Sequence, residues 1–485
     1  MDKLTQEILR LEQESDVLEP TPELRKQWMD EVLKYTDSFI DGMESKKAFI
    51  SAYDNENPFE GVTYDDAISM NEVLSFLEKN VDTTGLNPAS GGHIGYIPGG
   101  GIYPTAIGDF LAAITNRYSG VFFGGPGAVQ LENSLIRWMC DVVGFPKNAH
   151  GNLCSGGSIA NLIAITTARD SKKITSRKVD SSVIYVTNQT HHCVQKAIRI
   201  AGLNESILRY IPMDDRFKMD INALSTQIKS DKEAGLTPFL IVGSAGTTDT
   251  GSIDPLDEIA DIAEEYNCWF HVDAAYGGFF VMVDELKPRF KGMDRADSVA
   301  IDPHKGLFLA YGLGVILIKD VKAMYDTHFY KAGYMQDAQE KYDEISPADV
   351  SPELTKHFRG LRLWVSLKLF GVTPFVKSLE EKHKLALYFN QEIEKLGFET
   401  GAEPELSVVL YRYKNTPDKN LFNKLLTEEI HKDGRVFLSS TVLHGENWMR
   451  AAILSFRTHK RTIDLCLEMI GDCVERVKNR LNQGI

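Results

Sequence analysis

Trp269-Phe-His-Val-Asp-Ala-Ala-Tyr-Gly-Gly278 and Asp297-Ser-Val-Ala-Ile-Asp-Pro-His-Lys-Gly306 decide the reading of this chain. Each opens on a short apolar run of the kind that forms a buried strand, and each ends in chemistry. The first run delivers one carboxylate, Asp273, into a patch of small residues. The second delivers a lysine, Lys305, fenced by Pro303, His304 and Gly306. A buried acid at one strand end and a lysine beyond the next are what pyridoxal phosphate requires: the acid keeps the pyridine nitrogen protonated and the lysine holds the aldehyde as a Schiff base. Taken singly, either residue reads as structural, so the neighbouring segments have to decide.

Similar apolar runs stand at 183–186, 239–242 and 314–318, and helical patterns fill 158–170, 193–202, 221–234 and 255–266. This alternation predicts a mostly parallel sheet covered by helices on both faces, with ligands gathering beyond the carboxyl ends of the strands. Ahead of it, helices are expected at 103–118 and 128–143. Residues 1–85 read as a helical arm with polar faces. Residues 86–370 read as the large cofactor domain. After Trp364 the pattern changes to a smaller α+β domain, 371–485, with helices near 374–396, 418–432 and 461–482 and strands near 407–413, 435–440 and 449–455.

Four further stretches supply candidate site residues. Asn152-Leu-Cys-Ser-Gly-Gly-Ser-Ile-Ala-Asn161 is a small-residue turn opening a helix. Backbone N–H groups there, with Ser158 at the cap beside Gly157, read either as an anion seat or as an ordinary capped helix. In Thr190-His-His-Cys193 the adjacent histidines lack the second ligand pair of a zinc site, so no metal is expected. His191 suits stacking on a flat cofactor and moving protons. Thr248, in the hydroxyl-rich loop 246–252, reads either as bonding a cofactor ring substituent or as part of a simple turn leading into the helix at 255. Ser90–Gly101, with six glycines in twelve residues, presents Tyr96 and Ile97 from a loop, read either as substrate wall or as a structural turn; Phe122 extends the apolar wall.

The motifs His-Val-Asp-Ala-Ala-Tyr, Asp-Pro-His-Lys, Thr-His-His-Cys and Ser-Gly-Gly-Ser-Ile-Ala-Asn together resemble the group II pyridoxal phosphate decarboxylases, in matching order from about residue 70 to the end. Among these the aromatic-L-amino-acid decarboxylases are the nearest. The resemblance implies fold type I and pyridoxal 5′-phosphate as cofactor. It implies Lys305 as the Schiff-base lysine, Asp273 as the pyridinium partner, Ala275 beneath the ring and His191 above it. Gly157, Ser158 and His304 would face the phosphate, with Asp302 beside them, and Thr248 would bind the cofactor. It also implies a tyrosine on a loop, Tyr334 with Tyr342 as fallback, that protonates Cα after carbon dioxide leaves. The substrate wall would be Tyr96, Ile97 and His191. Two departures stand out: Asp302 occupies a position where the family commonly carries Asn, and Gly306 stands where a bulky aromatic is common.

The expected activity is decarboxylation of an L-amino acid, an aromatic one first, by a homodimer with the site at the subunit interface. Arg450 resembles a carboxylate clamp, but clamping the carboxylate in the ring plane opposes decarboxylation, so a structural or partner-side role is expected. The alternatives are an aldehyde synthase, which tends to lack the loop tyrosine, a decarboxylase of glutamate or 2,4-diaminobutyrate, an aminotransferase, and a non-catalytic binding protein. A net charge of −15 with no basic tract argues against nucleic acid and anionic membranes as partners. The first residues lack the apolar core of a signal peptide, no run is long enough to span a membrane, and the six cysteines show no CxxC pair. These features predict a cytoplasmic location.

Overall fold

The computed structural model describes residues 2–51, 57–330 and 344–483. In chain order, helices α1 (Lys3–Ser15), α2 (Pro22–Asp41) and α3 (Met70–Asn80) form the N-terminal region. Its two short strands, β1 (Phe49–Ile50) and β2 (Gly85–Leu86), pair with each other. Helices α4 (Tyr103–Thr115) and α5 (Pro126–Val143) follow. The central region then alternates β3 (His150–Cys154), α6 (Gly157–Ser171), β4 (Ser182–Val186), α7 (His192–Ile200), β5 (Ile207–Tyr210), α8 (Ile221–Glu233), β6 (Thr237–Ser244), α9 (Leu256–Tyr266), β7 (Trp269–Asp273), β8 (Ser298–Ile301), the single turn α10 (Pro303–Gly306) and β9 (Gly314–Ile318).

The seven strands β3 to β9 form one sheet in the order β3-β9-β8-β7-β6-β4-β5. All neighbours pair in parallel except β9, which runs antiparallel to both β3 and β8. Period-2 side-chain alternation explains why the strands read as continuous apolar runs. Val183, Tyr185, Phe270, Val272 and Leu317 join one core, while Ile184, Val186, Leu240, Ala300 and Ile316 join the core on the opposite face.

Two of these strands escaped the sequence reading. Strand β3 contains Gly and Asn where β-branched residues would announce it. It forms because Gly151 lets the backbone lie against β9: a Cβ there would stand 2.0 Å from the Ile316 carbonyl oxygen. Strand β5 is a short edge carrying Arg209.

The C-terminal region packs α13 (Thr373–Lys395), α14 (Lys419–Asp433) and α15 (Lys460–Asn482), which come after α11 (Val321–His328) and α12 (Gly360–Phe370), on an antiparallel sheet. That sheet comprises β10 (Phe398–Thr400), β11 (Val408–Tyr413), β12 (Ser439–Leu443) and β13 (Glu446–Ala452), ordered β10-β11-β13-β12. The strand expected at 435–440 is displaced. Val436, Phe437 and Leu438 are buried outside the sheet, and Phe437 bridges to His93 of the glycine-rich loop.

Among the described residues no helix is long and apolar enough to cross a membrane, and no group of three or more His, Cys, Asp or Glu side chains is arranged to hold a metal ion.

Candidate active site

Parallel neighbours β7 and β8 place Asp273 and the start of α10 side by side, because both strands end at the same edge of the sheet. A cavity of about 380 Å³ opens there. It is lined by Gly157, Ser158, His191, Thr248, Asp273, Ala275, Asp302, His304 and Lys305, so every residue expected to hold the cofactor reaches it. Gln189, Cys193, Thr247, Tyr276 and Tyr311 also line it.

One wall is the N-terminus of α6. Its N-cap is Gly156 and no side chain caps it; Ser158 is not the cap, as the sequence suggested, but lies within the first turn and is exposed. The first-turn N–H groups therefore keep their capacity for an anion. The seat is tight: a Cβ on Gly157 would stand 2.9 Å from Asp302 Oδ2 and 3.2 Å from the Ala275 Cβ.

His191 is the N-cap of α7, and its Nδ1 accepts from the Cys193 N–H at 3.3 Å. Burial lowers its pKa, so the ring is neutral and its hydrogen sits on Nε2. Burial likewise pushes the Cys193 thiol up to about 12, which leaves it protonated and inert.

Asp273 accepts from the Ala275 N–H at 3.2 Å and from Asn161 Nδ2 at 3.4 Å. Behind it runs a chain that the sequence reading missed. Asn161 Oδ1 lies 2.7 Å from His271 Nε2, and His271 Nδ1 lies 2.8 Å from Ser298 Oγ, which also accepts from Trp269 Nε1 at 2.8 Å. Burial lowers the His271 pKa to about 4, so the imidazole is neutral. An amide oxygen only accepts, so the His271 hydrogen is on Nε2 and Ser298 donates to Nδ1. Asn161 Nδ2 also donates to the Gly157 carbonyl at 2.8 Å, tying the anion seat to the carboxylate. Period-2 spacing of Trp269, His271 and Asp273 signals that they share one face of β7, but not that Asn161 joins them.

Lys305 Nζ lies 3.2 Å from Asp302 Oδ2. Burial alone would lower its pKa; Asp302 and Asp273 outweigh burial and raise it. Gly306 does not make the site roomier: its missing side chain leaves space that Phe279 fills, since a Cβ would stand 2.9 Å from the Phe279 Cβ.

The glycine-rich loop packs against this segment, and Gly99 is its closest approach. A Cβ on Gly99 would lie 2.0 Å from the His304 carbonyl oxygen. Neither Tyr96 nor Ile97 lines the cavity of its own chain: Ile97 is in the core, and Tyr96, at φ 49°, is 56% exposed. Arg450 is no clamp within its own chain. It is buried and donates to the Thr248 carbonyl (2.8 Å), Ser439 Oγ (2.8 Å) and the Tyr96 carbonyl (2.9 Å). Tyr334 and Tyr342 lie outside the described residues.

The arrangement fits pyridoxal phosphate on its own geometry: an uncapped helix start, a hydrogen-bonded carboxylate and a lysine share one cavity. Comparison with known proteins agrees. The family model described as the pyridoxal-dependent decarboxylase conserved domain matches residues 66–414. An aromatic-L-amino-acid decarboxylase of Bacillus atrophaeus is 32% identical over 394 residues, covering 80% of this chain and 82% of that protein. A phenylacetaldehyde synthase of Petunia hybrida is 28% identical over 387 residues, 75% and 76% of the respective chains. The crystal structure of Catharanthus roseus tryptophan decarboxylase in complex with L-tryptophan shares the fold, with a TM-score of 0.87 at 20% identity, over 95% of this chain and 99% of that one. The chain therefore belongs to the pyridoxal-dependent decarboxylases, of fold type I.

Proposed function

We propose that this protein uses pyridoxal 5′-phosphate to remove the α-carboxylate of an L-amino acid, an aromatic one first, releasing carbon dioxide and the amine. The observation that carries the reading is the convergence of Lys305, Asp273, His191 and the α6 turn on one cavity. When bound, the cofactor supplies a ring that takes up the electron pair left by the departing carboxylate.

The chain's own residues do the rest. The first turn of α6, from Gly157, holds the phosphate. Asp273, steadied by Asn161 and the Ala275 N–H, keeps a proton on the pyridine nitrogen. Ala275 and His191 would flank the ring, and the His191 Nε2–H would be available as a proton donor. Thr248 bonds the ring substituent, its loop held by Arg450. Lys305 would hold the cofactor through Nζ and exchange with the substrate nitrogen. Tyr334 returns the proton to Cα.

The resemblance to aromatic amino acid decarboxylases supports the substrate class, and the exposed Tyr96 would then wall the substrate of a partner copy. A homodimer accounts for the exposed apolar side chains Ile107, Phe110, Leu111 and Ile114 on α4 and Leu4, Ile8 and Leu11 on α1. The buried free cysteines suit a cytoplasmic enzyme.

The test is to incubate the cofactor-loaded protein with each L-amino acid, the aromatic ones first, and assay carbon dioxide, amine, ammonia and peroxide. Carbon dioxide with equimolar amine is expected, and no carbon dioxide from any L-amino acid would refute the reading. The Petunia relative favours a second reading, decarboxylation with oxidative deamination, which ammonia and peroxide would reveal. Replacing Tyr334 by Phe is expected to divert product from amine toward aldehyde; unchanged amine output removes that tyrosine from its role.

A further inference from the structure

One carboxylate lining the cavity turns to the lysine rather than to backbone. Asp302 occupies the N-cap position of α10, where an aspartate ordinarily accepts from first-turn N–H groups. It makes no such bond. Its carboxylate, in a residue 1% exposed, turns instead to Lys305, with Oδ2 at 3.2 Å from Nζ. The other oxygen, Oδ1, is buried and has no hydrogen-bond partner.

His304 cannot answer this charge. It donates Nδ1–H to the Leu313 carbonyl at 2.7 Å, and burial keeps the ring neutral, so the Nε2 that lies 3.7 Å from Oδ2 presents a lone pair. The other titratable groups facing the pair are Asp273 on β7, the neutral His191 at the start of α7, Tyr311 in the turn before β9, whose phenol pKa burial raises, and the thiols Cys154 on β3 and Cys193 on α7. Burial pushes both thiols up to about 12, and they stay neutral. Among the described residues Lys305 is thus the cation that Asp302 meets, and the lysine side chain is held at the edge of the cavity.

We propose that Asp302 is a positioning residue, the anion that receives Lys305 whenever the lysine is not joined to the cofactor, and that it thereby biases exchange of the cofactor from lysine to substrate. The proposal rests on Lys305 being the cofactor lysine. In the exchange the substrate nitrogen bonds to the cofactor's aldehyde-derived carbon. The bond from that carbon to Nζ breaks, and its electron pair stays on Nζ. The substrate arrives as an ammonium, and two of its protons pass to Nζ. One cationic imine therefore replaces another, and the lysine departs as an ammonium onto a carboxylate already waiting for it. No oxidant or reductant is consumed. An asparagine at this position would accept a hydrogen bond without supplying the charge, so the lysine would compete harder for the cofactor.

Two measurements test this on wild type and Asp302→Asn, with Asp302→Ser in reserve should the asparagine variant not fold. In the cofactor-free protein, acetylation of Lys305 by trace acetic anhydride is followed against pH by peptide mass spectrometry. The midpoint is expected to fall by about one pH unit or more in the variant; an unchanged or higher midpoint overturns the proposal. In the loaded protein, the methyl ester of an aromatic L-amino acid, which has no carboxylate to lose, is titrated in and the adducts are trapped with borohydride. The variant is expected to need about tenfold more ester to clear the label from Lys305; equal partition overturns the proposal. Absence of any wild-type label at Lys305 would instead refute the lysine assignment beneath it.

Discussion

Acidification should destabilise this protein through its buried histidines, and His271 allows one of them to be isolated. Its ring is fully buried, with Nε2–H donated to Asn161 and Nδ1 accepting from Ser298. A second proton would have to sit on Nδ1, against a hydroxyl oxygen that already receives the Trp269 N–H. Burial accordingly lowers the folded-state pKa to about 4, whereas an unfolded histidine titrates near 6.5, roughly.

The sign follows from proton binding. Between these two values the unfolded chain holds the proton and the folded chain does not, so stability is full above about pH 6.5 and declines as pH falls toward about 4. The slope is ~1.4 kcal/mol per pH unit for this one group, and the whole window is worth on the order of 3 kcal/mol. His93 and His150 are buried with similarly lowered values and add to the decline. The informative quantity is therefore a difference. Urea denaturation of wild type and His271→Gln at about pH 7.5 and about pH 5.5 should show wild type losing ~1.4 kcal/mol more than the variant. Glutamine keeps an amide toward Asn161 but does not titrate. If both proteins lose the same stability, His271 is not held neutral and the tautomer chain behind Asp273 is wrong.

Three other outcomes are expected. Gly157→Ala should weaken cofactor affinity at least ~10-fold, because its Cβ would press on the Asp302 carboxylate at 2.9 Å and no longer leave the turn flush; fluorescence titration of the cofactor-free protein measures it. Lys356→Met should lower stability by ~3–5 kcal/mol in urea, since Glu132, whose Oε2 lies 2.7 Å from Lys356 Nζ with both side chains fully buried, would lose its counter-charge. A Lys356→Met/Glu132→Gln double variant should recover part of that loss. Arg450→Met should unfasten the Thr248 and Tyr96 loops together, raising KM for the substrate more than it lowers kcat, whereas a true carboxylate clamp would show weakened binding of the amino acid but not of its methyl ester.

Much of the site was legible because its chemistry lies close to strand ends. The apolar runs ending at Asp273 and before Lys305, the small-residue turn before α6, and the histidine after β4 each carry a local signal. Strands β3 and β5 were missed because their formation depends on neighbours: Gly151 is in a strand only because β9 lies against it. Asn161 and His271 are 110 positions apart and make one hydrogen bond, which no local period reports. Ile97 was expected on the cavity wall, but the loop carrying it folds its side chain inward.

What the sequence determined by itself was the period of each segment and the residue types delivered at its end. That is enough for an α/β sheet and for a pyridoxal phosphate site, since side-chain alternation and turn chemistry are properties of a few consecutive residues. The strand order, which sets Asp273 beside the lysine turn, and the direction of each polar side chain were left to the tertiary structure. Asp302 shows the distinction most clearly. The resemblance offered it only as a phosphate neighbour. The closure of β8 and β9 around α10 instead buried its carboxylate against Lys305, because a buried charge is held where its counter-charge lies.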